Sequence, residues 1–149
     1  PSAGILHLTL TFLGDVAATR IAALQAIGPA VAAAVAPFKV TLDRVGAFGN
    51  GAIAWVDASA PPRELERLVQ LLTGALAKDG FPTERRAFHP HVTLARHCRH
   101  PTGSGTIVSI AWRVERITLN ASERAPGGPR YRELGAWPLG SHEADRTTS

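Results

Sequence analysis

Cysteine is nearly absent from this chain: Cys98 is the only one among 149 residues. A single cysteine excludes an intrachain disulfide, and chains without disulfides are typical of reducing compartments. The composition therefore favours a cytoplasmic protein. With 45% hydrophobic and 19% charged residues, a chain of this length can bury the core of one domain.

Long apolar runs are lacking as well. The most apolar stretch, Ala22–Phe38, is interrupted by Gln25, Gly28, Pro29 and Pro37. A transmembrane helix needs about 20 consecutive apolar residues, so we expect no membrane partner.

Acidic residues are outnumbered by basic ones, 12 against 16, which gives a formal net charge of +4. An anionic partner such as nucleic acid fits this balance, but so does an ordinary basic surface. The candidates for contacts with a phosphate backbone are Lys39, Arg44, Arg85 and Arg86. For each of them a solvated surface position is the alternative.

Two short segments repeat one pattern: His7-Leu8-Thr9-Leu10 and His91-Val92-Thr93-Leu94. On a β-strand, residues i and i+2 lie on the same face, so each segment would present one imidazole and one hydroxyl together. A single H-x-T pattern occurs by chance. Two copies on credible strands predict one site with two histidines and two threonines.

The chemistry of this predicted site is proton transfer around an anion. Imidazole gives and takes protons near neutral pH, so His7 and His91 are candidates for a general acid and a general base in phosphoester cleavage. Thr9 and Thr93 would donate hydrogen bonds to the non-bridging phosphate oxygens. The alternative is that both histidines are part-buried, hydrogen-bonded structural residues.

Phe12 and Arg96 stand five residues after His7 and His91, respectively. An odd offset puts a residue on the opposite face of a regular strand, unless the strand twists or ends there. We expect both strands to end there, so that the phenyl ring and the guanidinium sandwich a nucleobase. Core packing of Phe12 and a surface salt bridge of Arg96 are the alternatives.

A metal site is a rival interpretation, because His89, His91, His97 and His100 lie close together in the sequence. However, this cluster contains no acidic residue, Cys98 stands alone, and structural zinc sites usually show tighter paired spacing. We therefore expect neither a metal nor another cofactor, and we interpret His97 and His100 as loop residues.

Apolar periodicity predicts two helices, one over Ala17–Ala36 with a kink at Gly28-Pro29, and one between Pro62 and Gly80. Alternation predicts strands over Ile5–Leu13, Phe38–Val45, Ala52–Asp57, His91–Arg96, Ile107–Trp112, Glu115–Ser122 and Tyr131–Pro138. With one motif in each half, this order indicates an α+β fold that is two-lobed and pseudo-symmetric. Antiparallel sheets would line a central cleft, with the helices packed outside.

The two motifs in their settings, from His7 to Gly14 and from Phe88 to Arg96, resemble the 2H phosphoesterase superfamily. Within it the chain is most similar to the RNA 2′,3′-cyclic phosphodiesterases, also called 2′-5′ RNA ligases. The segments 45–48 and 54–56 and the ending 119–139 are similar to that branch as well. The resemblance therefore covers nearly the whole chain up to residue 139.

This resemblance implies metal-independent hydrolysis of an RNA or nucleoside 2′,3′-cyclic phosphate to a 2′-phosphate, with reversible 2′-5′ RNA ligation as a further activity. It implies that His7 is the general acid on the leaving 3′ oxygen and that His91 activates the attacking water. It also implies that the two motif threonines hold the phosphate while Phe12 and Arg96 flank the base.

Members of that family usually begin with a strand and a helix before the first motif, which this chain reaches almost directly. We therefore expect one two-lobed domain over residues 1–140 without those elements, and a disordered polar tail over 141–149. The expected partners are RNA 3′ ends with a cyclic phosphate or small cyclic nucleotides, bound by a monomer. The alternatives are a nucleotide- or RNA-binding module with little turnover and a 2H phosphodiesterase for another cyclic nucleotide.

Overall fold

A computed structural model describes residues 6–84, 87–99 and 103–140. The predicted tail over 141–149, Arg85, Arg86 and His100 lie outside these residues. A short 3-10 turn, Ala18–Arg20, leads into the first helix. The elements are α1 (Ile21–Ala33), β1 (Phe38–Phe48), β2 (Ile53–Asp57), α2 (Arg63–Lys78), β3 (His91–Arg96), β4 (Gly105–Val114), β5 (Arg116–Ala125) and β6 (Gly128–Pro138).

The chain divides into two compact units. The sheet unit comprises residues 6–10, 39–62, 87–99 and 103–113, and it holds a four-stranded sheet in the order β3-β2-β1-β4. The helical unit comprises residues 11–38, 63–84 and 114–140, and it holds both helices and the two-stranded sheet β5-β6. The pairs β1-β2, β2-β3 and β5-β6 are all antiparallel. The predicted α+β class with antiparallel sheets is therefore confirmed.

The core of the helical unit lies between the apolar faces of its helices. α1 buries Leu24 and Ile27, and α2 buries Leu65 and Leu68. α1 also packs against β5 and β6. The leucine spacing predicted α2 correctly, and Gly80 follows it with φ 78°, as the end of a helix favours. Within the described ranges, neither helix is long and apolar enough to cross a membrane.

α1 ends earlier than the sequence predicts and continues through its proline. It contains Pro29 and stops at Ala33, three residues before the predicted end. The N–H of Gly140 donates to the carbonyl oxygen of Ala32 at 3.0 Å. In a longer helix that carbonyl would accept from residue 36, so at the end of α1 the C-terminal segment takes the place of the next helical donor.

The strands other than the first lie where alternation predicts them, although β1 continues to Phe48, three residues past its predicted end. In the described part of Ile5–Leu13, the only β-bridge is the one that Leu8 forms. Alternation predicts that this segment is extended, but it does not predict which strand the segment pairs with. The β5-β6 hairpin is longer than predicted, since its turn needs only Pro126 and Gly127. Proline and a glycine with φ 89° suit the two central positions of a type II turn.

α1 and β6 approach each other closely at Gly28, where a Cβ atom would overlap the ring of Trp137. We expect Gly28→Ala to lower the free energy of unfolding by about 1–3 kcal/mol, the usual range for overpacking. This loss should appear although alanine favours a helix by about 1 kcal/mol over glycine. Equilibrium unfolding in urea measures the change.

Gly74→Ala is the matched control, because Gly74 lies in α2 where a Cβ would meet nothing within 4 Å. There the same substitution should stabilise the protein by up to about 1 kcal/mol. Equal effects of the two substitutions would contradict the close contact with Trp137.

Candidate active site

β3 holds the second motif and is the strand on which the site is built. In its register with β2, His91 lies opposite Asp57 and Thr93 lies opposite Trp55. Val92, between them, is buried. Because side chains alternate along a strand, His91 and Thr93 share the other face of the sheet with Asp57 and Trp55.

An antiparallel bridge joins the central residues of the two motifs, Leu8 and Val92. In an antiparallel pair, the residue before the bridge on one chain stands opposite the residue after the bridge on the other. The histidine of each motif is therefore level with the threonine of the other. The two imidazoles stand on a diagonal, and such residues have Cα atoms about 7–8 Å apart.

A β-bulge in β3 decides the face on which Arg96 lies. The register shifts between Ala54 and Trp55, so β3 contains one extra residue there. Arg96 consequently pairs with Ile53 and shares the face of Thr93. The strand ends at Arg96 as predicted, and the extra residue cancels the odd offset from the motif histidine.

Asp57 is the one polar side chain that is fully buried within the described ranges. Arg44 donates to both of its oxygens, from Nε to Oδ1 and from Nη2 to Oδ2, each at 2.8 Å. Nε2 of His89 donates to Oδ2 at 2.6 Å. Arg44 lies opposite Asp57 in the β1-β2 register, so one row across the sheet contains His91, Asp57 and Arg44.

The hydrogen bonds keep the Asp57 carboxyl ionised despite its burial. Loss of solvent alone would raise its pKa, but the bonds and charges of Arg44 and His89 outweigh this and hold the pKa below the usual value. The same ion pair raises the pKa of Arg44. The carboxylate therefore acts as a fixed acceptor in the sheet unit.

The ring of His91 is held on several sides. Its Nδ1 donates to the carbonyl oxygen of His89 at 2.7 Å. The His89 ring stacks on it with centroids 5.1 Å apart, and Phe48 meets it edge-on at 5.2 Å. Because a carbonyl oxygen only accepts, Nδ1 holds the proton, and Nε2 of the neutral ring has the lone pair. His91 is thus prepared to accept a proton at Nε2.

Trp55 forms a wall beside the two stacked histidines. Its ring lies across Gly46, where a Cβ atom would overlap it. It meets His89 edge-on, with centroids 5.0 Å apart, and Phe48 at 5.5 Å. Its Nε1 is buried with no acceptor among the described residues. These aromatic contacts restrict the orientation of both imidazoles.

The structure brings four of the six predicted site residues together around the motif bridge: His7, Thr9, His91 and Thr93. Arg96 joins them on the same face through the bulge. Phe12 belongs to the helical unit and is 70% exposed, which contradicts the alternative of core packing. Its stacking on a base together with Arg96 stays a prediction.

The other histidines of the cluster have different surroundings. His89 bonds Asp57, and His97 is exposed just after β3 with φ 57°. Among the described residues, no three His, Cys, Asp or Glu side chains are grouped as a metal site would require.

Sequence reasoning missed Asp57 and treated His89 only as a possible metal ligand. The available signal was a charged residue directly after the apolar run Ala54–Val56. An acid at the end of a buried strand needs a partner, and His89, just before the predicted strand His91–Arg96, was a candidate.

Known proteins resemble this chain over most of its length. A family model described as the 2′-5′ RNA ligase superfamily matches residues 3–124. The RNA 2′,3′-cyclic phosphodiesterase of Escherichia coli K12 is 34% identical over 139 residues, which are 90% of this chain and 76% of that protein.

Solved structures show the same likeness. E. coli LigT complexed with 3′-AMP superposes with a TM-score of 0.81 at 34% identity, over 93% of this chain and 79% of that one. A protein of Thermus thermophilus superposes with a TM-score of 0.81 at 29% identity, over 92% and 79%.

Because the folded protein lowers the pKa of Asp57, the free energy of unfolding should fall as the pH is lowered into the acid range. The contribution of Asp57 is complete above the unfolded value of about 3.9 and is lost as the pH falls through the folded value. Asp57→Asn should lower the free energy of unfolding by about 1.5–3 kcal/mol near neutral pH. The gap to the wild type should shrink below about pH 4, as urea unfolding at a series of pH values would measure.

Asp15→Asn is the matched control for a charge removed at an exposed position. A gap between Asp57→Asn and the wild type that stays constant into the acid range would contradict an ionised, paired carboxylate.

Proposed function

The chain belongs to the 2′-5′ RNA ligase superfamily, and from this premise we propose that it hydrolyses 2′,3′-cyclic phosphates of RNA ends or nucleosides. Water adds to phosphorus and the bond from phosphorus to O3′ breaks, which leaves a 2′-phosphate and a 3′-hydroxyl. Relatives named RNA 2′,3′-cyclic phosphodiesterase support this reaction. They favour it over another cyclic nucleotide and over a binding module without turnover.

The observation that carries the proposal is the bridge between Leu8 and Val92. It aligns two identical His/Thr pairs in opposite directions on one face of the sheet. A phosphorus centre between two imidazoles on a diagonal has one of them on the side of the attacking water and the other on the side of the leaving oxygen.

The base in this mechanism is His91. Its Nδ1 proton is engaged by the carbonyl of His89, so the proton from water goes to Nε2. His7 then supplies the proton that O3′ needs as it leaves. A 5′-hydroxyl in place of water would attack the cyclic phosphate in the same direction and form a 2′-5′ bond as the bond to O3′ breaks, with both histidines in the same roles. The roles exchange when the 3′-hydroxyl of such a product attacks phosphorus, the 5′-hydroxyl leaves and the cyclic phosphate forms again.

The hydroxyls of Thr9 and Thr93 donate to the non-bridging oxygens, where negative charge increases in the transition state. Arg96 shares their face of the sheet and contributes a guanidinium that flanks the base. Phe12, which is largely exposed, stacks on the base. The enzyme acts in the cytoplasm and as a monomer. A dimeric mass in light scattering would contradict the monomer.

The reaction is tested with 2′,3′-cyclic AMP in excess EDTA, with the product isomer identified. We expect turnover to 2′-AMP, and a fall in kcat of about 10²–10⁴ in each of His7→Ala and His91→Ala, the usual contribution of a general acid or base. His97→Asn is the matched control, because asparagine tolerates the positive φ of this exposed histidine.

Activity that persists in either motif variant would contradict the two-histidine mechanism. Activity that is lost in EDTA and restored by a metal would contradict metal independence. Circular dichroism of each variant separates lost chemistry from lost fold.

Two groups that exchange protons during one turnover make the rate depend on pH in both directions. We therefore expect a bell-shaped profile of kcat/KM for 2′,3′-cyclic AMP. A profile that stays flat between about pH 5 and 8, where imidazole usually titrates, would contradict the histidine pair.

A further inference from the structure

The guanidinium of Arg44 is held by Asp57, yet the side chain is partly exposed. The proposed mechanism assigns Arg44 no role. We propose that Arg44 and the pocket beside it bind a backbone phosphate of the RNA strand upstream of the terminal cyclic phosphate. This inference rests on the proposed function and extends it from a terminal nucleotide to a polynucleotide substrate.

The guanidinium is oriented before any ligand arrives. Its two bonds to Asp57 use two of its five N–H donors, while 47% of the side chain remains exposed. A planar fork with donors in fixed directions suits a phosphate, and little side-chain entropy is lost on binding. The positive charge of Arg44 offsets the negative charge of Asp57, and His89 also donates to the carboxylate. Asp57 therefore does not repel a bound anion strongly.

A pocket of about 480 Å³ opens beside this guanidinium. Ser104 and Thr106 add hydroxyl donors to it, and they stand on either side of Gly105, where β4 begins. The residues that line the pocket are Arg44, Val45, Trp55, Ser104, Gly105 and Thr106. Among the described residues, this lining contains no acidic side chain.

The distance to the reacting groups fits a neighbouring phosphate. Arg44, Asp57 and His91 form one row across β1, β2 and β3, so Arg44 is two strand spacings, about 10 Å, from His91. Each nucleotide extends a strand by at least the 3.4 Å or so that it contributes along a helix axis. The pocket therefore lies within reach of a backbone phosphate no more than about three nucleotides upstream of the scissile one.

The test compares the wild type with variants in the salt dependence of their binding to an RNA that ends in a 2′-phosphate. An RNA of about ten nucleotides is within the usual site sizes for single strands. Fluorescence anisotropy gives Kd between about 50 and 200 mM salt, where each phosphate contact contributes about 0.7 to the slope of log Kd against log salt. The informative variant is the double substitution Arg44→Gln with Asp57→Asn, because it leaves no unpaired buried charge.

We expect the double variant to lose about 0.7 from this slope and to bind the RNA about tenfold more weakly relative to 2′-AMP. Asp57→Asn alone retains the guanidinium and should keep the wild-type slope. Arg67→Gln, an exposed position on α2, is the control for a lost positive charge.

A slope in the double variant equal to that of the wild type would overturn the inference, as would an equal fall in Arg67→Gln. Either result leaves the proposed function intact if 2′,3′-cyclic AMP is hydrolysed. If the wild type does not hydrolyse 2′,3′-cyclic AMP, the proposed function fails first.

Discussion

A carboxylate without access to water must be paired and hydrogen-bonded to remain ionised, and the sheet unit is arranged around this requirement at Asp57. Arg44 comes from β1 and His89 from the segment before β3, so one carboxylate connects three parts of the chain. A slip of one residue in either register would turn a partner to the other face. The pairing therefore favours one alignment of β1, β2 and β3, and it is this alignment that gives His91 its neighbours.

His89 transmits this constraint to His91 through two different atoms. Its Nε2 donates to Asp57, and its carbonyl oxygen accepts the Nδ1 proton of His91. Pro90 restricts the preceding residue to extended conformations, and both imidazoles lie on the same side, with ring planes 30° apart. The acceptor that sets the tautomer of His91 is a backbone carbonyl, which does not titrate. The tautomer is therefore fixed wherever the fold persists, independently of the charge on any neighbouring side chain.

The sequence predicted the reacting groups well because they depend on local patterns. β3 and its His/Thr pair follow from alternation, and α2 follows from its leucine spacing. The β1-β2 hairpin shows the limit of such patterns: the predicted ends, Val45 and Ala52, would set Arg44 opposite Ile53, four residues from its partner Asp57. Gly46 resembles a turn glycine in the sequence, but it lies within β1 because the Trp55 ring covers it. That contact arises only when the sheet packs.

The bulge in β3 is a second feature that local patterns do not predict, and it decides the position of Arg96. Five residues separate His91 from Arg96, and strict alternation would put them on opposite faces. One extra residue opposite Trp55 reverses that parity for the end of the strand and brings the guanidinium to the face of the motif. Bulges depend on the partner strand, so a single strand's sequence does not indicate them. Conversely, a polar residue at an odd offset from a motif on a strand is itself a reason to look for a bulge, since burial on the wrong face would leave its charge unpaired.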